Sequence, residues 1–334
     1  MTFTSFTTHG DIRMNNLLSN IAKKASVLAL ALCSTAIAFL PSTASAEERF
    51  VLVSHAPDAD SWWNTIKTAI KEAGQNMDVS VEYRNPPTGD LADMARIIEQ
   101  AVASNPQGII TTLADYDVLK GPLEKAKKKG IPVVTINSGT KEQSEKVGAL
   151  LHVGQPEYDA GFGAGKRAKA DGIKNFLCVN HYITNPASVE RCQGFADALG
   201  VDLGGQMIDS GQDPTGIEKK VLAFLRKNPN TEAILTLGPT SAHPTLRALE
   251  KNRQLGKIYF GSFDLSNEIA QGIKDGNIKW AIDQQPYLQG YLPVMVLTLF
   301  NRYGVMPSNH INSGPGFVTL DNLALVEKLA GEYR

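Results

Sequence analysis

The sequence predicts an α/β protein of two doubly wound, Rossmann-like lobes laid end to end, and three observations carry that prediction. Short apolar runs rich in Val, Ile and Leu alternate with segments whose apolar residues fall at helical spacing. The runs are apolar throughout, as strands of a parallel sheet covered by helices on both faces require. The alternation restarts after His152, and no Ser- or Pro-rich linker separates the two series.

In chain order, a strand over 49–54 leads to a helix over 61–73 that ends at Gly74. Strand 79–83, helix 91–103, strand 108–112, helix 118–129 and strand 131–136 follow. The second series runs helix 157–170, strand 175–179, helix 188–199, strand 205–208, helix 216–227 and strand 233–237. It continues with helix 241–252, strand 258–263, helix 266–275 and strand 278–283, and a long apolar helix over 287–303 closes it. Gly161, Gly163 and Gly165 precede Lys166 and Arg167 but miss the spacing of a phosphate-binding loop. Inside a helix, such small residues permit close packing.

The first 46 residues stand outside this pattern. Lys23 and Lys24 precede an apolar run from Ala25 to Leu40, after which come Pro41 and the small triplet Ala44, Ser45 and Ala46, the form of a secretory signal peptide. The run is shorter than the roughly 20 residues that span a bilayer. Cleavage is expected after Ala46, with translation starting at Met1 or Met14, and Cys33 is an ordinary residue of the run.

The whole chain carries 33 basic and 34 acidic residues. Removing 1–46 takes three of the first and one of the second, leaving 30 against 33. Nothing supplies the positive field that nucleic acid or an anionic membrane would need. Cys178 and Cys192 remain in a compartment that permits disulfides, and both a bridge and two buried thiols fit the spacing.

In open α/β sheets, ligands lie beyond the carboxyl ends of the strands, so the residues there are the candidates for binding. The first such loop holds His55, Asp58 and Asp60, then Trp62 and Trp63 side by side. Later ends supply Thr112 with Asp115, Asn137 with Ser138, and Asn180, His181 and Asn185 with Arg191 on the next helix. Phe263 with Asp264 and Asp283 with Gln284 complete the set. Planar, bidentate groups of this kind suit neighbouring hydroxyls. Adjacent helical residues point about 100° apart. The tryptophans are therefore either one core and one surface residue or an aromatic face for a sugar ring.

Other chemistries find less support. His55, His152, His181, His243 and His310 show no metal-ligand spacing, no serine sits in a nucleophile elbow, and neither cysteine has a recognisable His partner. No cofactor is expected. Asp115 and Asp117 could pair for acid-base work or cap the helix that follows. Lys125, Lys127, Lys128 and Lys129 complement a helix dipole.

Trp62 and Trp63, GIPVVTINSG (130–139), HVGQPEYDAGFGAG (152–165), RCQGF (191–195), SFD (262–264) and DQQP (283–286) together resemble a known family. It is the periplasmic solute-binding proteins of the ribose- and galactose-binding type, the type I periplasmic binding proteins of sugar ABC importers. The resemblance covers nearly the whole chain after residue 46. It implies a signal peptide over 1–46, an N-terminal lobe of 47–152 plus 286–313, and a C-terminal lobe of 153–285 plus 314–334. A three-strand hinge at about 152–155, 283–287 and 310–316 would join them.

The resemblance further implies a periplasmic, monomeric receptor that hands a simple sugar to a membrane permease without converting it. The implied ligand residues are Trp62, Trp63, Asn137, Ser138, Arg191, Asp264 and Gln284, to which the strand-end reading adds His55, Asp60 and His181. Arg191 and Asp264 are expected to make charge-assisted bonds with each other or with buried hydroxyls. The chain departs from the ribose-binding members in its longer first loop, in Asn137 and Ser138, and in Gly238. A hexose, deoxyhexose, pentose or cyclic polyol therefore stays open as ligand. A repressor would need a helix-turn-helix in place of the signal peptide. A secreted sugar-processing enzyme would need carboxylates roughly 5 to 9.5 Å apart, for which Asp264 and Asp283 are the candidates. A receptor for a furanosyl-type signal, or one feeding chemotaxis, would share the fold.

Overall fold

The computed structural model describes residues 48–334, so the expected signal peptide, its cleavage point and both candidate start codons lie outside the described residues. The described chain forms two six-stranded sheets of the same order. The first contains β1 (Arg49–Val53), β2 (Ser80–Arg84), β3 (Gly108–Thr111), β4 (Val133–Ile136), β5 (His152–Gly154) and β11 (Ile311–Asn312), ordered β11-β5-β4-β3-β1-β2. The second contains β6 (Phe176–Asn180), β7 (Met207–Asp209), β8 (Ala233–Thr236), β9 (Tyr259–Phe263), β10 (Trp280–Asp283) and β12 (Gly316–Val318), ordered β12-β10-β9-β8-β6-β7. All pairings are parallel except that of β12 with β10.

Central strands such as β1, β3, β8 and β9 are buried, as their unbroken apolar runs demand. Burial on both faces fails at β2 and β7, which are only half-buried because each is the outermost strand of its sheet.

Helices α1 (Trp63–Met77), α2 (Leu91–Ala103), α3 (Tyr116–Lys128) and α4 (Lys141–Lys146) follow the strands of the first sheet. Helices α5 (Glu157–Ala170), α6 (Pro186–Leu199), α7 (Pro214–Lys227), α8 (Pro239–Lys251) and α9 (Asn267–Lys274) accompany the second. Helix α10 (Pro286–Tyr303) returns to pack on α1.

Two departures from the expected bounds have clear causes. Helices α6, α7 and α8 begin two residues early because a proline, whose fixed φ and missing N–H suit the first helical position, opens each of them. Helix α1 runs through Gly74 to Met77. There the Val79 carbonyl lies 2.8 Å from where a β-carbon would stand, so the absent side chain serves close approach and the turn is made at Asp78, φ 54°.

The chain passes between the sheets three times, between β5 and α5, between β10 and α10, and between β11 and β12. Beside the first crossing, α5 and α6 pack unusually closely. A β-carbon at Gly161 would overlap the Arg191 carbonyl, and one at Gly194 would overlap that of Tyr158. Cys178 on β6 and Cys192 on α6 are joined by a disulfide, their Cα atoms 6.0 Å apart. No described helix is long and apolar enough to cross a membrane.

Candidate ligand-binding site

The carboxyl ends of the two sheets face one cavity. His55, Asp60, Trp62, Trp63, Asn137 and Ser138 reach it from the first lobe, and His181, Arg191 and Asp264 from the second. Gln284 reaches it from the second crossing segment.

On the first side, Trp62 stands edge-on to Trp63, ring centroids 5.1 Å apart, and Trp63 stands edge-on to His55 at 5.5 Å. Both tryptophans are buried, so neither is a surface residue. Position 62 precedes α1, and its ring closes the cavity wall while also touching the core. The Trp62 indole N–H has no protein partner, a costly omission for a buried donor unless something in the cavity accepts it.

Asp60 Oδ1 accepts the Trp62 backbone N–H at 3.2 Å. Burial nevertheless pushes its carboxyl up to about 6, against the opposing pull of that bond and of Lys67. The His55 ring nitrogen Nδ1 lies 3.0 Å from Thr112 Oγ1, and burial, reinforced by His181, lowers its pKa to about 3. His55 is therefore neutral at pH 7.

On the second side, the guanidinium of Arg191 lies 4.5 Å from the centre of the Phe263 ring. Its Nε and Nη2 donate to the two oxygens of Glu157 at 2.7 and 2.8 Å, and its Nη1 donates to the Leu237 carbonyl at 3.0 Å. The bond to Asp264, one of the two alternatives expected for Arg191, is replaced by this pair, because close packing of α5 on α6 brings the first residue of α5 against the middle of α6. Asp264 instead accepts Gln284 Nε2 at 2.7 Å. Burial pushes its carboxyl up to about 7, although Arg191 and that bond oppose the rise. His181 Nδ1 lies 3.2 Å from Ser241 Oγ, and burial followed by the Arg191 charge lowers its pKa to about 4.

Polar contacts run from one lobe to the other around the cavity. Asn137 Nδ2 donates to Gln284 Oε1 at 3.1 Å, so Asn137, Gln284 and Asp264 form one chain through the crossing segment. Asn185 Nδ2 donates to Ser138 Oγ at 2.9 Å, and the His55 and Tyr182 rings lie 5.3 Å apart.

Other strand-end residues do different work. Asp115 caps α3, and Asp117 pairs with Lys120. Asp58 accepts from Asn85, and Asn180 accepts the Tyr182 backbone N–H. Asp283 is not open to the cavity as a partner for Asp264. Its oxygens take the Gln285 N–H at 2.7 Å and Arg334 at 2.6 Å.

Tyr182 and Glu157 escaped the sequence reading. Tyr182 follows His181 at the same strand end, and its buried hydroxyl, like the Trp62 N–H, has no partner. Its position alone could have suggested it. Gly238 widens the wall, since a β-carbon there would lie 3.2 Å from Asp264 Oδ2 and 3.6 Å from His181. Among the described residues, no group of three His, Cys, Asp or Glu could hold a metal ion. The cavity thus offers unpaired donors (Trp62, Tyr182 and the spare N–H groups of Arg191), a carboxyl acceptor from each lobe, and an aromatic wall.

Comparison with known proteins gives concordant matches. Residues 50–300 match the periplasmic binding protein domain. A carbohydrate transporter from Acidothermus cellulolyticus 11B, solved in complex with myo-inositol, is 30% identical with a TM-score of 0.79, over 85% of this chain and 98% of that one. A periplasmic sugar-binding protein of an ABC sugar transporter from Legionella pneumophila is 25% identical with a TM-score of 0.74, over 80% of this chain and 100% of that one. The xylose/arabinose-binding protein of Sulfolobus acidocaldarius is 22% identical over 82% of this chain and 72% of its own length.

Proposed function

The chain belongs to the periplasmic binding protein family, and from that premise we propose that it is the substrate-binding component of an ABC importer for a simple sugar or cyclic polyol. The observation that carries this reading is the convergence of unpaired Trp62 and Tyr182 donors, the Arg191 guanidinium and the Asp264 carboxylate on one cavity. A ring bearing hydroxyls on its edge and C–H groups on its face satisfies all of them at once. Hexoses, deoxyhexoses, pentoses and inositols all have that form.

In this reading the chain is exported by its first 46 residues, cut after Ala46, and works in the periplasm as a monomer. Trp62, Trp63, His55, Asp60, Asn137 and Ser138 hold ligand from one lobe, His181, Arg191 and Asp264 from the other, and Gln284 from between them. The segments at 152–155, 283–287 and 310–316 form a hinge. A ligand touching both lobes favours the closed form by its differential affinity, and the permease meets the lobes in that arrangement. The sugar leaves unchanged.

A thermal-shift panel of neutral sugars and inositols, followed by calorimetry and solution scattering on the best ligand, tests the reading. The expected result is saturable binding, a smaller radius of gyration with ligand, and recovery of the same molecule. Equal radii at saturation would remove the hinge, and a converted sugar would establish an enzyme.

A further inference from the structure

Arg191 lines the cavity, yet its charge is already answered from behind. Both oxygens of Glu157 are bonded to it, and the two side chains are 8% and 3% exposed. Glu157 itself is held by a third donor, Gln155 Nε2 at 2.7 Å, and it opens α5, where the helix dipole favours a negative charge. Of the five guanidinium N–H groups, two go to Glu157 and one to the Leu237 carbonyl, which leaves two for a ligand.

The remaining ionisable wall residues add no cation. Asp60 and Asp264, pushed up by burial to about 6 and about 7, are carboxylates at pH 8, where His55 and His181 are uncharged. Lys67 lines a separate hollow, its ammonium 4.8 Å from the Tyr83 ring centre. Among the described residues of the wall, no positive charge is left uncompensated.

We propose that Glu157 is a positioning residue that sets selectivity: it holds Arg191 as an oriented hydrogen-bond donor while cancelling its charge, so that the cavity accepts neutral polyhydroxylated rings and rejects their carboxylate counterparts. The proposal rests on the sugar or polyol reading of the site. Its physical basis is the weak screening of the interior. A ligand carboxylate would sit with Asp60, Asp264 and Glu157 against one guanidinium, whereas a neutral ring loses nothing. A bare arginine at the same point would instead attract acids.

The test uses calorimetry at pH 8 on the full mature chain, with D-glucose, D-galactose, D-xylose and myo-inositol as parent ligands. The pairs D-glucuronamide and D-glucuronate, and D-galacturonamide and D-galacturonate, differ almost only in charge. Wild type should prefer amide to acid by roughly 100-fold or more, because like charges brought together in a buried site are strongly disfavoured. Glu157→Gln should shrink that ratio by roughly tenfold or more, while Glu157→Asp, which keeps the charge, should preserve it even if both affinities fall.

Equal binding of acid and amide by wild type would overturn the proposal. So would rejection of both by a protein that binds a parent sugar, since size and not charge would then select. A Glu157→Gln variant that weakens both in equal proportion would show a merely structural role. Should that variant fail to fold, the wild-type ratio still decides. Failure of wild type to bind any parent ligand would instead overturn the sugar reading itself.

Discussion

At the end of the fourth strand of each sheet, the chain turns through a residue of positive φ: Asn137 (φ 58°) after β4 and Asp264 (φ 62°) after β9. Asn and Asp tolerate that left-handed region better than most residues, because their short polar side chains can bond locally. From this shared position the first lobe presents a neutral amide and the second a carboxylate. The contrast extends along both walls. Each wall holds one carboxyl and one neutral histidine, Asp60 with His55 on the first and Asp264 with His181 on the second, but the first adds two tryptophans where the second adds a buried arginine backed by Glu157. Two lobes of one topology have thus divided the work: the first lobe shapes the cavity, and the second carries its strongest polar bonds. Strand order sets where a side chain is offered, and the local partners set what it can do.

The division can be broken first at Arg191. Arg191→Ala leaves Glu157 buried without its partner, and the expected loss of stability is about 3 to 5 kcal/mol, read from urea unfolding, with ligand affinity lost as well. A loss below 1 kcal/mol would mean that the pair is not the anchor of the second wall. Next, replacing Cys178 and Cys192 together with Ser should cost about 3 kcal/mol, since the bridge closes a loop of that size class. Intact mass before and after alkylation reports whether the bridge is present in the starting protein.

The first lobe should answer differently. Trp62→Ala should weaken binding by about 1.5 to 3 kcal/mol, stacking adding to area burial. Trp63→Ala should weaken binding less and cost more stability, because that ring lines the cavity while packed between Trp62 and His55. Calorimetry and melting on the two variants separate the roles, and identical profiles would erase the distinction.

A titration sharpens the contrast between Asn137 and Asp264. The Asp264 carboxyl is pushed up to about 7 from 3.8, so between those values the folded chain holds a proton that the unfolded chain releases. Stability from this group is therefore lost as pH rises from about 4 to 7. Asp264→Asn should make the ligand-free protein more stable than wild type by roughly 2 kcal/mol at pH 8 and by nothing at pH 4, while binding falls. A constant difference across that range would contradict the burial argument. The smallest effect is expected at the contact between lobes. Asn185→Ala removes the bond to Ser138 together with the cap that its Oδ1 makes on the Ala187 N–H, about 1 to 2 kcal/mol in all, and should enlarge the ligand-free radius of gyration slightly in scattering.

The sequence carried the two α/β series and the placement of candidate groups at strand ends through local periodicity and a topology that sends strand ends to one side, and it singled out seven of the ten side chains on the cavity wall only through the resemblance of its motifs to a known family. It missed α4, β5, β11 and β12, whose lengths of two to six residues are too short to show a period. Which charged groups meet is set by packing. Glu157 and Arg191 lie 34 positions apart and touch because Gly161 and Gly194 let two helix backbones come together. Asp283 is withdrawn from the cavity by the last residue of the chain, Arg334. Pairings of this kind depend on distances set by packing across the whole fold, and the spacing of residues along the chain does not encode them.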